Sequence, residues 1–286
     1  MQTNVKQVFY FNADSISLGG FLDEPFRYVP TPCSTALSPT GGRATDEARA
    51  FNFEDHIKAR AAYTHVSGKM SRLNGPWTER VVSVVEEIDV MGRITADKVV
   101  AQMFVEQPAA DGGPRKISFA GSHISNLRID GKLVTPVADT TLLPQHHRDV
   151  DAYNQDAAFD PELKWPELTA FARRRGAEWL AQKNLPEWAR DRFGWITAAN
   201  PDGKSTFEGY TLCSLINHIE EVPTGQTFAH CIELPDFGRI FLAEVTVLPY
   251  SAHLSMLRTE LGCKSSGQIS AATVVSNGTT MPPGLR

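Results

Sequence analysis

Cysteine is scarce in this chain. Four occur among 286 residues, Cys33, Cys213, Cys231 and Cys263, and no two form a C-x-x-C pair. That excludes the usual structural zinc motifs and a dense disulfide framework. Long apolar runs are also missing, since no stretch approaches the roughly 18 residues that a membrane-spanning helix needs. The opening residues, MQTNVKQVFYFNADS, lack the charged-then-apolar layout of a secretory leader. These absences point to a cytoplasmic protein with reduced thiols, the alternative being a mature secreted form. Cys213 and Cys231 fall in strand-like segments, so a disulfide between them stands as the other reading of that pair.

A basic surplus is absent too. Lys and Arg number 28 against 33 Asp and Glu, for a formal charge of -5. Nucleic-acid binders usually carry the opposite balance, so no nucleic-acid partner is expected. There is no P-loop, no G-x-G-x-x-G opening a helix and no G-x-S-x-G elbow. No cofactor is therefore expected. Fixed-period repeats and low-complexity tracts are missing as well.

What is present is a β pattern. Apolar residues make up 42% of the chain, enough for a sizeable core. Val8 to Leu22 is aromatic and β-branched, and reads as a strand that turns at Gly19-Gly20. Asp23 to Gly42 carries Pro25, Pro30, Pro32 and Pro39, which exclude helix and central strand. It reads as an extended segment over the surface, or as an arm onto a neighbouring subunit. Arg49 to Arg72 is strand-rich. Arg80 to Glu106 holds two β-branched runs around Met91-Gly92-Arg93, with apolar residues on both parities. A strand covered on each side gives that pattern. Asp130-Gly131 marks a two-residue hairpin, because a type I′ turn needs positive φ at both centres.

Helical spacing appears in one region, about 160–194. Asp160-Pro161-Glu162 offers a capping acid and an early proline. Leu168, Phe171, Ala172, Trp179 and Leu180 then share one helix face. Pro186 to Phe193 reads as a second short helix. Strands resume from Thr211 and continue through Arg239 to Leu248 and Gln268 to Ser276. A β-rich chain interrupted by one helical insert fits an antiparallel sandwich or barrel better than alternating β/α units. The tail PPGLR reads as an irregular end packed on the body or on a neighbour.

Candidate chemistry is sparse. His146, His147, Asp149 and Asp151 lie in one loop and form a candidate metal set, since imidazoles and carboxylates together hold divalent ions. On a strand two adjacent histidines would point apart, so chelation needs a bent loop. His218, His230 and His253 lie in or beside strands, near several acids. A His beside a carboxylate is the minimum for acid–base catalysis. Glu244 sits in the most apolar strand, where burial would raise its pKa. Structural pairing with Arg239 or Arg258 is the commoner fate of such an acid. His230 next to Cys231 cannot easily activate it, because neighbours on a strand face opposite ways.

The stretch SVVEEIDVMGRITADKVVAQMFVEQ, a loop, and then SFAGSHISNLRIDGKLV, within residues 79–136, resembles the choice-of-anchor type β-rich domains of bacterial surface proteins. The shared features are a Gly-centred turn into an I-T-A-D-x-V strand and a later L-x-I-x-G-x-x-V hairpin. FGRIFLAEVTV is loosely similar to a later strand of theirs. The resemblance implies a β-sandwich of structural or binding character and supplies no catalytic residues. This chain departs from it in its helical insert and in lacking an anchor pattern.

The expectation is one β domain over 1–286. Its first functional reading is a non-catalytic structural or binding protein that forms homo-oligomers through β surfaces. The second is a cofactor-free enzyme or small-molecule binder. It would have an apolar pocket inside the β core, served by His218, His230, Glu244 and His253.

Overall fold

The structure, a computed structural model, describes residues 8–70, 75–109, 112–147, 149–157, 159–197, 211–221, 224–262 and 266–281. Its main elements are β1 (Ala13–Asp23), β2 (Gly42–Phe53), β3 (Ile57–Met70), β4 (Trp77–Val90), β5 (Ile94–Gln107), α1 (Trp165–Leu180) and α2 (Glu187–Thr197). They are followed by β6 (Thr211–Ser214), β7 (Cys231–Leu234), β8 (Gly238–Val247), β9 (Ala252–Gly262) and β10 (Ser266–Ser276). Cys263 and the PPGLR tail lie outside the described residues.

Two antiparallel sheets pack face to face. The first runs β2-β3-β4-β5 as successive hairpins, with short strands added beyond β5. Met91 and Gly92 both take positive φ at the β4–β5 turn, as do Asp130 and Gly131 in the later hairpin. That is the turn chemistry expected at both places. The second sheet runs β7-β8-β9-β10-β1, with β6 pairing alongside β8. Between the sheets, Leu18 and Leu22 of β1 meet Val81, Val85 and Ile88 of β4. Met103 of β5, Leu254 of β9 and Val274 of β10 complete the same core. The mainly β, antiparallel sandwich expected from the sequence is the fold observed.

One expectation needs correction, and two open alternatives are decided. The first strand does not turn at Gly19-Gly20 but runs through both. Gly20 is there for close approach, since a Cβ would lie 2.0 Å from the carbonyl oxygen of Gln268. The Pro-rich segment is not a free arm. Phe26–Val29 and Ser34–Ala36 within it both pair with β1 of their own chain. Its prolines are tolerated because it is an edge. Finally, Cys213 and Cys231 are unpaired and buried, as is Cys33. The first two sit opposite Val245 and Phe241 of β8, on opposite faces of the sheet.

The apolar content on both parities has a local cause. Ala50 on β2, Glu87 on β4, Ala243 on β8 and Ala272 on β10 all have positive φ. At these levels the ladder skips one residue on each partner strand, as between Leu242↔Leu257 and Glu244↔Ser255. Side-chain alternation therefore slips by one. On β8, Ile240 and Leu242 face the core before the slip, and Val245 and Val247 face it after. A transverse line of kinks thus crosses both sheets.

Both outer faces are covered. α1 and α2 lie on the second sheet, where Trp179, Ala189 and Phe193 pack on Leu212, Phe228, Cys231 and Phe241. The chain near 150–159 lies on the first sheet, where Ala152 joins Tyr63, Val82, Val84 and Val100. Arg80 holds that segment by donating to the carbonyls of Asp151 (3.0 Å), Ala152 (3.3 Å) and Asn154.

Candidate functional site

The kink at Ala243 decides where Glu244 goes. Without the slip Glu244 would share the core face with Ile240 and Leu242. With it, Glu244 joins Phe241 on the outer face, beneath α2. There the carboxylate accepts from His230 Nε2 (3.1 Å), from Arg258 Nη2 (2.7 Å) and from Arg192 Nη2 (3.1 Å). Glu260 accepts from Arg258 Nη1 (2.7 Å) and Arg192 Nη1 (2.9 Å). Both guanidiniums also lie over the Phe241 ring, at 4.0 and 4.1 Å.

Burial alone would raise the Glu244 pKa, but the His230 hydrogen bond and the two arginines outweigh it and hold the carboxyl well below its usual range. Burial lowers the His230 pKa against the pull of Glu244. His230 is thus a neutral imidazole donating through Nε2, with Nδ1 buried and unpaired. Its ring packs on Trp179 and Phe193. Two of the candidate residues, His230 and Glu244, thus lie together, and of the two arginines weighed for Glu244 it is Arg258 that reaches it, while Arg239 pairs with Glu233 and Glu260. The His230–Glu244 pair is sealed under the insert, away from solvent. Its chemistry is that of a latch: two arginines, one from the sheet and one from α2, share one carboxylate. Removing one partner of such a buried set strands the others, at a cost of about 3–5 kcal/mol.

The other predicted acid–base residues make no hydrogen bond to it, although His253 lies within electrostatic reach of Glu244 and Arg258. His218 is exposed on Ile216–Glu220, a strand that pairs with Thr135–Ala138, and faces Glu220 at 3.4 Å. His253 is half-buried on β9, and burial lowers its pKa. Among the described residues it makes no hydrogen bond to Glu244.

The loop histidines do come together. Gln145–His147 forms a single 3-10 turn, which brings the two rings edge to face with centroids 4.2 Å apart. The third donor is Glu162, which the sequence reading did not include. One donor atom from each of His146, His147 and Glu162 lies within 4.8 Å of the others. Asp149 and Asp151 are outside this set, and Asp151 accepts instead from the Tyr153 backbone N–H (3.0 Å).

Sequence reasoning missed a second buried ion pair and an open edge. Glu79 and Arg115 lie 3.5 Å apart, both buried. Arg115 donates to the Tyr250 carbonyl and to Ser276 Oγ, and stacks over Trp165. Burial of Arg115 lowers its pKa to about 10. The open edge is β2. It pairs with β3 on one side and with no described strand on the other. Glu47 and Arg49 on it are exposed and make no ion pair among the described residues. On the same side, joined by Arg27–Glu54, the edge of the second sheet exposes Phe26 and Tyr28. Beside β2 a cleft of about 800 Å³ opens between Arg43, Lys69, Arg80, Phe104 and Phe159.

No helix among the described residues is long and apolar enough to cross a membrane. Neither the curated proteins nor the solved structures contain a match to this chain. One family model matches it, over residues 9–248, which spans the first sheet, the helical insert and the Glu244 strand. By that match the chain belongs to the family described as domain of unknown function DUF8256.

Proposed function

We propose that this is a non-catalytic structural or binding protein, held in the cytoplasm, that forms a homodimer by pairing the free edge of β2 with β2 of a second copy. The observation that carries the proposal is that edge: 12 residues long, largely exposed, and paired with a described strand on one side only, the other side being met at Asp46 by the Ser34 N–H (3.1 Å). Natural sheets shorten, cover, charge or kink such an edge, and this one, at full length, carries charges and the Ala50 kink. Its sequence, GRATDEARAFNF, is complementary to itself. In an antiparallel pair with Ala48 on the two-fold axis, Arg49 of each copy faces Glu47 of the other, on the outer face. Arg43 stays with Asp156 of its own chain. Exposed Phe26 and Tyr28 flank the same side and would lose water on association. The resemblance of residues 79–136 to structural sandwiches points the same way.

The enzyme reading has weaker support. The space between the sheets is filled by side chains, and the His230–Glu244 pair is sealed rather than set in a pocket.

Light scattering over a concentration series tests the proposal. A dimer is expected. Opposite-charge cross-strand pairs contribute about 0.2–1 kcal/mol each and like charges destabilise. Arg49→Glu should therefore weaken the dimer roughly tenfold, and the exchange Glu47→Arg with Arg49→Glu should restore it. A monomer at every concentration, or no response to Arg49→Glu, would overturn the proposal.

A further inference from the structure

The proposed dimer uses one side of the first sheet. A different observation, on the loop ahead of the insert, points to a ligand. We infer that His146, His147 and Glu162 form a binding site for a divalent cation of the zinc class.

The geometry is built by several fixed elements. The 3-10 turn is closed by the His147 N–H donating to the Pro144 carbonyl (2.9 Å). Its far side is anchored by the Gly121 N–H donating to the His147 carbonyl (2.8 Å). Gly121 has φ +79, and a Cβ there would lie 2.5 Å from the Val150 carbonyl oxygen, so the two segments touch at backbone distance. His147 is buried and its ring stands edge-on against Phe159, at 4.7 Å between centroids. Glu162 comes from the other direction, just before Leu163–Lys164, which pairs with Lys116–Ile117. Two rigid segments thus present two imidazoles and a carboxylate to one point.

The donor chemistry suits zinc. Two histidines and one glutamate make a three-ligand set that leaves a fourth position open, and zinc takes nitrogen and oxygen donors at about 2.0–2.2 Å. Tetrahedral donors then sit roughly 3.4 Å apart. The three donor atoms lie within 4.8 Å of one another, and His146 and Glu162 are exposed side chains whose rotation can narrow that spread. Neither histidine nor Glu162 makes an ion pair or hydrogen bond through its side chain to another described residue. His147 and Glu162 also line a small cleft with Ser118, Thr141 and Glu167, which admits water or a small oxygen ligand. Magnesium, which prefers oxygen donors in an octahedron, fits this set poorly.

Bound there, the ion joins the loop ahead of the insert to the strand that leads into α1. It is a cross-link, and it stabilises the folded chain by mass action.

The test is calorimetric titration of the metal-stripped full chain with zinc chloride, repeated with magnesium chloride. One equivalent of zinc should bind, with a rise in melting temperature, and magnesium should give neither. Glu162→Gln and His147→Ala should each weaken zinc binding more than about tenfold, the smaller end of what even an outer partner costs. Asp149→Asn and Asp151→Asn should leave it unchanged. Glu162 is exposed, so Glu162→Gln keeps the fold, which circular dichroism checks. Absence of zinc binding, or binding that survives both ligand substitutions, would overturn the inference. So would a loss caused by the aspartate variants alone.

Discussion

His65 sits on β3 between Thr45 and Val82, fully buried, with both ring nitrogens lacking a hydrogen-bond partner. Burial, then the charges of Arg80 and Arg43, lower its pKa from 6.5 to about 4. The folded chain therefore holds the neutral ring, and the unfolded chain takes up a proton first as pH falls. The stability His65 contributes is fully present above about 6.5 and is lost between there and about 4. Burial shifts His147, His230 and His253 in the same direction. Glu244 acts lower, below the ordinary glutamate value of about 4.3, since its ionised form is the one held. Urea unfolding at a series of pH values should show stability falling from about pH 6.5 downward. The slope should be shallower in His65→Leu, and an equal slope would show that the ring is protonated without cost.

At the scale of elements, the kink line is the feature that sequence patterning hid. Strict alternation along β5 places Ala96 with Val100 and Phe104, yet Ala96 faces the core and Phe104 the outer cover. The slip between them comes from Glu87 on the neighbouring strand, and nothing in the composition of β5 signals it. Only glycine takes positive φ without cost, and these positions are Ala50, Glu87, Ala243 and Ala272. The turns were legible because Met91-Gly92 and Asp130-Gly131 carry their own chemistry. The helices were legible because their apolar spacing is local, although α1 starts at Trp165 behind Lys164 and not at the Asp160-Pro161 pair that looked like its cap. The kinks are imposed by packing across the sheet. Ala50 tests this view, being exposed as well as strained. Ala50→Gly should raise the unfolding free energy by about 0.5–1 kcal/mol, because the left-handed cost for alanine is removed and no buried surface is lost. Ala50→Val should lower it, and denaturant titration separates the two. The site was half legible for the same reason: His230 and Glu244 were among the candidates and Arg258 was one of two partners weighed, but Arg192 and Glu162 were not named with them, since they come from other segments of the chain.

At the scale of the molecule, the family match ends at Leu248, before β9 and β10. Those two strands lie between β8 and β1 in the second sheet. A chain stopped at 248 would leave β8 and β1 with unpaired edges facing each other and would expose Leu254, Met256 and Val274 partners in the core. Such a chain should fail to give a cooperative thermal transition, while one stopped after 281 should melt as the whole does. Arg115 reinforces the expectation, because it holds Ser276 from within the first half of the chain (2.8 Å).

The order of strands also sets a timetable for synthesis. β2 to β5 follow one another as neighbouring hairpins, so they can form as soon as they leave the ribosome. β1 leaves before them, yet the partner that lies beside it in the sheet, β10, is made some 250 residues later. Until then that early strand has only its own Pro-rich segment beside it in the sheet, although the first sheet can already pack on its face, and α1 and α2 have no finished sheet to close upon. The second half of this protein is therefore a late and all-at-once event, and the stretch of translation before it is when the nascent chain has most need of protection from its neighbours.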